Sequence, residues 1–204
     1  GFTIAFNSTG NCIIEDAIGS SFNDIITGNN SANNLSGGDG NDTLNGGLGN
    51  DRLIGGNGID TAVFSSNANR INLGYTSRQN TGDGRDILTG IENVYGGGGD
   101  DIITGNNSAN NLSGGRGNDR LIGGISNDTI TGGIGNDRLT GGIGNDTLTG
   151  GIGNDIFQIN TGTGRDVITD YGTGNDRIKL LGGLTENAVS YTHLRAHETS
   201  YDLV

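Results

Sequence analysis

The chain has 204 residues but a mass of only 20.8 kDa, because 42 of them are Gly, about one in five against an average near 7%. Hydrophobic residues make up 30% and aromatics 5%, with no Pro, Met or Trp, which argues against an ordinary core of stacked helices. With 11 Lys and Arg against 23 Asp and Glu, the net charge is −12; such a chain repels phosphate backbones and anionic membranes, so no nucleic acid is expected and cations are the natural partners.

Residues 1–18 are read as a lead-in: the chain opens Gly1-Phe2-Thr3 without Met, which predicts an internal fragment. At Gly19 a nine-residue period begins. It runs GSSFNDIIT, GNNSANNLS, GGDGNDTLN, GGLGNDRLI and GGNGIDTAV, giving a first block over 19–63. Residues 64–95 break the phase. There the alternation Ile71, Leu73, Tyr75 predicts a half-buried strand, and Thr81 to Thr89 is a degenerate repeat carrying Gly82, Gly84 and Asp86, so this insert is a spacer with β-strands.

A second block, 96–158, holds seven repeats in phase: GGGGDDIIT, GNNSANNLS, GGRGNDRLI, GGISNDTIT, GGIGNDRLT, GGIGNDTLT and GGIGNDIFQ. The segment Asp24 to Gly38 recurs letter for letter from Asp101 to Gly115, so the blocks read as an internal duplication. Residues 159–187 carry two degraded repeats, Asp166 with Val167 and Ile168, then Asp176 with Ile178 and Leu180. Their richer apolar content predicts a cap over the exposed end of the stack, and Asp166, Asp170 and Asp176 are a weak further site. The tail, 188–204, shares neither composition nor period with the rest. Val189 to Thr199 matches, letter for letter, the translation of a common transposase-tagmentation sequencing adapter, so the tail is expected to be non-native. His193 and His197, at i, i+4 beside Glu198, would otherwise invite a zinc reading, but the remaining parts of such a motif are missing.

Within each repeat the chemistry has fixed places: Gly at positions 1, 2 and usually 4, Asp at 6, one apolar residue at 8. Glycine permits the positive φ of a sharp turn whose carbonyls point inward. The other three residues make a very short strand with its position-8 side chain inward. One such strand buries nothing alone, but stacking at about 4.8 Å turns Ile26, Leu35, Leu44, Leu53, Ile103, Leu112, Leu121, Ile130, Leu139, Leu148 and Phe157 into a ladder. No apolar run approaches the roughly 18 residues of a membrane span, and the single Cys12 allows no internal disulfide. Low hydrophobicity with high net charge is the signature of a disordered chain unless something besides apolar burial orders it.

The register GGxGxDxUx, in phase over twelve repeats of which ten carry Asp at position 6, closely resembles the RTX (hemolysin-type) calcium-binding nonapeptide-repeat family. The resemblance implies an all-β fold, a right-handed parallel β-roll (β-solenoid) with two nonapeptides per coil and Ca²⁺ between turns one coil apart. Calcium takes six to eight oxygens, mixing carboxylates and carbonyls, and one turn offers too few. Repeat i should therefore share an ion with repeat i+2. This links Asp24, Asp42 and Asp60 on one side of block one, with Asn33 and Asp51 on the other; in block two, Asp101, Asp119, Asp137 and Asp155 face Asn110, Asp128 and Asp146. Six pairs have two Asp, and two more are weakened by Asn33 and Asn110, giving about six to eight ions. Six divalent ions would balance the formal charge of −12. Carbonyl ligands are expected from Gly37, Gly38, Gly40, Gly46, Gly47, Gly49, Gly55, Gly56 and Gly58 in block one. Block two supplies Gly114, Gly115, Gly117, Gly132, Gly133, Gly135, Gly141, Gly142, Gly144, Gly150, Gly151 and Gly153.

These residues predict a module that folds when calcium binds. Extracellular calcium modules bind at roughly 10⁻⁴ to 10⁻³ M, which places the folded form outside the cell. The resemblance implies a secreted, extracellular bacterial protein exported by type I secretion machinery; a surface or polysaccharide ligand is a further candidate partner. No catalytic constellation occurs in the fragment, so it is not read as an enzyme. Two other readings stand beside this one: the calcium module of a secreted RTX protease, lipase or alginate epimerase with catalysis elsewhere, or an adhesive or ice-binding roll. Arg52, Arg120 and Arg138 at position 7 read as solvated, and the Ile at position 3 (Ile125, Ile134, Ile143, Ile152) as local packing.

Overall fold

The structure, a computed structural model, describes residues 3–5, 15–65, 67–160 and 164–184. The tail with His193, His197 and Glu198, and Cys12 in the lead-in, lie outside the described residues. Every regular element described is a β-strand, and none of the described residues forms a helix long and apolar enough to cross a membrane.

The strands stack as a parallel β-solenoid. One face is a single nine-stranded sheet: Thr3–Ala5, Ile25–Thr27, Thr43–Asn45, Thr61–Val63, Asn93–Gly97, Asn111–Arg116, Thr129–Ile134, Thr147–Ile152 and Val167–Ile168. The opposite face is two sheets. Asp16–Ile18, Asn34–Asp39, Arg52–Asn57 and Arg85–Thr89 are parallel, closed by Gln79–Asn80 running antiparallel. The second comprises Arg70–Asn72, Ile102–Thr104, Arg120–Ile125, Arg138–Ile143, Ile156–Ile159 and Arg177–Leu180. Because strands of one sheet come from alternate repeats, register advances by eighteen residues: Leu121 lies beside Leu139, and Leu139 beside Phe157.

All eleven position-8 residues named above are fully buried and form one continuous cluster. Positions 7 and 9 point outward, and Arg52, Arg120 and Arg138 are exposed. The strands are longer than the three residues expected. Thr129–Ile134 and four others in block two run six residues, because pairing across coils resumes at positions 2 and 3, as Gly115 with Gly133, Gly133 with Gly151 and Ile134 with Ile152. At position 2 the chain turns with positive φ, +118° at Gly133. The position-3 isoleucines then project at the corners in register, Ile125 beside Ile143 and Ile134 beside Ile152, each 44% exposed or more.

The insert lies within the stack. On the nine-stranded face Ala62 pairs directly with Val94, so the two blocks share one sheet. On the other face Leu88 pairs with Leu53 above block one, and Ile71 with Ile103 below block two. Leu88, Val94 and Ile71 thereby extend the core ladder; Leu73 packs partly against it and Tyr75 is exposed. Beyond Phe157, Ile178 is buried, and Ile168, Tyr171 and Leu180 pack against the last rungs, with the Tyr171 ring 6.4 Å from that of Phe157.

Candidate metal centre

Each turn delivers its position-6 side chain to the inside of the coil. The residue after the turn begins a strand, so the position-6 carboxyl sits between the glycine turn and the core, almost wholly shielded: Asp60, Asp101 and Asp155 are 0% exposed. One oxygen of each carboxylate has a fixed task. Its Oδ1 accepts the backbone N–H of the position-6 residue one coil earlier, at 2.8 Å from Asp24 to Asp42, Asp42 to Asp60, Asp101 to Asp119, Asp119 to Asp137, Asp128 to Asp146 and Asp137 to Asp155. Asn33 and Asn110 donate in the same way to Asp51 and Asp128. The pairing of repeat i with i+2 is thus the hydrogen-bond pattern of the fold.

The other oxygen is left over. In Asp42, Asp51, Asp60, Asp101, Asp119, Asp128, Asp137, Asp146 and Asp155 the Oδ2 is buried with no hydrogen-bond partner. A buried, unsatisfied carboxylate oxygen costs a few kcal/mol, and nine in one small fold call for a cation. The position-1 glycine explains where one fits. A methyl carbon on Gly132 would come closer than 3.0 Å to both Asp137 Oδ2 and the Gly150 carbonyl oxygen, and one on Gly123 likewise to Asp128 Oδ2 and the Gly141 carbonyl. Gly37 with Asp42 and Gly55, and Gly96 with Asp101 and Gly114, repeat the arrangement. Carboxylate and carbonyl oxygens converging where a side chain is forbidden form the mixed donor set that calcium takes. Among the described residues no three His, Cys, Asp or Glu side chains converge on one point, as expected where each turn offers one carboxylate and the rest of the donors are carbonyls.

Electrostatics points the same way. Burial pushes the carboxyls of Asp51 and Asp137 up to about 7 and those of Asp101 and Asp128 to about 6; neighbouring carboxylates add to the effect, Asp86 and Asp83 at Asp51, Asp119 and Asp155 at Asp137. Asp60, Asp119, Asp146 and Asp155 are raised for the same first reason. A stack of carboxylates that resists ionising is what a cation between coils relieves.

Three expected positions differ in detail. The Asp24 Oδ2 already accepts hydrogen bonds from the Ser20 N–H and Oγ–H, the second supplied by the Ser that replaces Gly at position 2 of that repeat. The Asn33 and Asn110 Oδ1 atoms accept the N–H of Asn29 and Asn106 at 2.8 Å. Gly38, Gly40, Gly56, Gly58, Gly115, Gly117, Gly133, Gly135, Gly142, Gly144, Gly151 and Gly153 stack against carbonyls of the preceding coil and have positive φ, as do Gly47 and Gly49.

Other position-6 places are filled outside the regular repeats. Asp86 accepts from Asp51 N–H, Glu92 from Asp60 N–H, Asp166 from Asp146 N–H and Asp176 from Asp155 N–H. Each is followed two residues later by a core or near-core apolar residue: Leu88, Val94, Ile168, Ile178. The half-motif of an acid followed by an apolar residue at i+2 was the available sequence signal. A second ladder runs along the exposed turns. The Asn136 and Asn154 N–H groups donate to the Oδ1 of Asn118 and Asn136, and Asn145 N–H to that of Asn127.

Comparison with protein families finds four matches to the RTX calcium-binding nonapeptide repeat, at residues 15–38, 27–62, 86–121 and 122–157, together more than half of the chain. Comparison with curated proteins gives no match. Among solved structures, the extracellular lipase LipA from Serratia marcescens is similar at 22% identity, with a TM-score of 0.30, over 81% of this chain and 32% of the lipase chain. The chain thus spans about a third of that protein's length.

Proposed function

Since the chain belongs to the RTX calcium-binding nonapeptide-repeat family, we propose that it is a module that folds on binding calcium, with the position-6 aspartates and turn carbonyls as ligands. The ligand set is Asp42, Asp51, Asp60, Asp101, Asp119, Asp128, Asp137, Asp146 and Asp155, with Asp24, Asn33 and Asn110 contributing more weakly, and about six to eight ions. The observation that carries this reading is the row of buried Oδ2 atoms without partners, each facing a glycine-lined space. Bound calcium supplies positive charge between coils. The chain's own residues hold the geometry: Oδ1 fixes each carboxylate to the backbone one coil earlier, position-1 glycine keeps the space open, and the core ladder sets the spacing.

A module with sites of roughly millimolar affinity stays open at cytosolic calcium and closes outside the cell. We therefore assign it to a secreted protein, with any catalysis in a part of the protein beyond these repeats. Calcium titration by calorimetry tests the ligand set. The unaltered chain takes up about six to eight ions, and the Asp119→Ala/Asp137→Ala variant loses about three, because those residues share the pairs from Asp101 to Asp155. Unchanged uptake in that variant overturns the reading.

A further inference from the structure

The two blocks are joined across the insert, and the join is built like a metal site where the nonapeptide pattern is broken. Block one ends with Gly55 and Asp60. The next coil on the same face begins at Asn93, preceded only by Gly90, Ile91 and Glu92, a turn three residues shorter than in a full repeat. In spite of that, the donors reappear. The Gly90 carbonyl oxygen and Asp60 Oδ2 both come closer than 3.0 Å to the position of a methyl on Gly55, as the Gly150 carbonyl and Asp137 Oδ2 do at Gly132. Asp60 is 0% exposed and its Oδ2 has no hydrogen-bond partner.

Glu92 takes the place of the missing Asp. Its Oε2 accepts the Asp60 N–H at 2.9 Å, against 2.8 Å for the Asp42 N–H on Asp60. Glu has one methylene more than Asp, which gives a carboxylate on the shortened turn the reach that the full turn gives Asp. The Glu92 and Asn93 N–H groups both donate to the Asp60 carbonyl, at 3.1 and 2.9 Å, and lock the turn in place.

The opposite edge of the join is closed differently. There Asn69 lies one coil from Asp101, and its Nδ2 donates to Asp101 Oδ1, the Gly96 carbonyl and the Asn67 carbonyl at 2.8, 3.0 and 2.7 Å. The Asn69 N–H₂ supplies partial positive charge among three oxygens there, while Asn69 Oδ1 itself stays buried without a partner. No such donor reaches Asp60 Oδ2.

We propose that Asp60, Glu92 and the Gly90 carbonyl form a calcium site across the junction of the two blocks, joining them into one metal-stabilised stack. It rests on the calcium reading above and adds a ligand type and a position that the nonapeptide does not contain. The test is calcium per chain at saturation, measured by equilibrium dialysis on the full chain. Glu92→Gln is expected to lose about one ion, and Asp60→Asn about two, since Asp60 serves both Asp42 and Glu92; the double variant also loses about two. A full count in Glu92→Gln beside a reduced count in Asp137→Asn overturns this site while leaving calcium binding by the repeats standing. No uptake by the unaltered chain overturns both. If Glu92→Gln does not compact at saturating calcium, Asp60→Asn decides: loss of two ions supports the shared site and loss of one refutes it.

Discussion

Replacing Gly132 by Ala separates a glycine needed for the ion from one needed for the turn. The added methyl would lie 2.6 Å from the Gly150 carbonyl oxygen and closer still to Asp137 Oδ2, so it fills the space between the two donors. For a site with a dissociation constant of about 10⁻⁴ M, about 10 mM calcium stabilises the fold by about 2.7 kcal/mol, which is the calcium-linked stability this variant should lose. The assay is denaturant unfolding across a calcium series. The slope of unfolding free energy against the logarithm of calcium concentration counts the ions linked to folding, and Gly132→Ala lowers it by about one ion. Gly82→Ala is the control: at φ +77°, with a methyl set against the Ala68 carbonyl, it strains a turn without touching any of the proposed ligands. It should lower stability at every calcium concentration and keep the slope. Equal slopes for Gly132→Ala and the unaltered chain would refute the assignment of that space to a cation.

Without calcium, acidification should favour the fold. Asp51 and Asp137 titrate at about 7 in the folded chain against 3.8 for an ordinary Asp, so the fold binds more protons than the open chain between those values. Its stability is therefore greatest below about pH 4 and falls as the pH rises to 7; circular dichroism in chelator should show more β-structure at pH 5 than at pH 8, and no gain on acidification refutes this. Leu139→Ala removes a rung between Leu121 and Phe157 and should cost about 2–5 kcal/mol in calcium, read from the denaturation midpoint. Asn136→Ala breaks one link of the exposed ladder, where Asn136 Oδ1 accepts the Asn154 N–H at 2.9 Å, and should cost only about 0.5–1.5 kcal/mol with calcium uptake unchanged.

The solenoid was legible in the sequence because its two signals are local and repeated: a glycine turn and a single apolar residue at a fixed offset. Leu139 is buried for the reason it stands at position 8, and Asp137 lies one coil from Asp155, directly beside it, because eighteen residues make one circuit. What escaped were features set by stacking. The six-residue strands arise from pairing between glycine backbones one coil apart, which no single repeat displays. Asn136 bonds the turn above it through an exposed side chain whose type is common throughout the chain. Glu92 was hidden because its shortened turn lacks the glycine pattern, although Val94 stands at the right offset from it, whereas Asp86 was legible through Gly82 and Gly84. Ser126 shows the converse: at φ +86° it keeps the conformation of a position-4 glycine without being one.

On the function proposed above, cations between coils, more than apolar contacts, hold this chain together. Far-UV circular dichroism of the full chain at neutral pH, first in chelator and then through a calcium titration into the millimolar range, tests it most directly. The expected result is a largely unfolded spectrum that converts cooperatively to β-structure as calcium rises; a β-rich spectrum in chelator that calcium leaves unchanged refutes the role given to the cations.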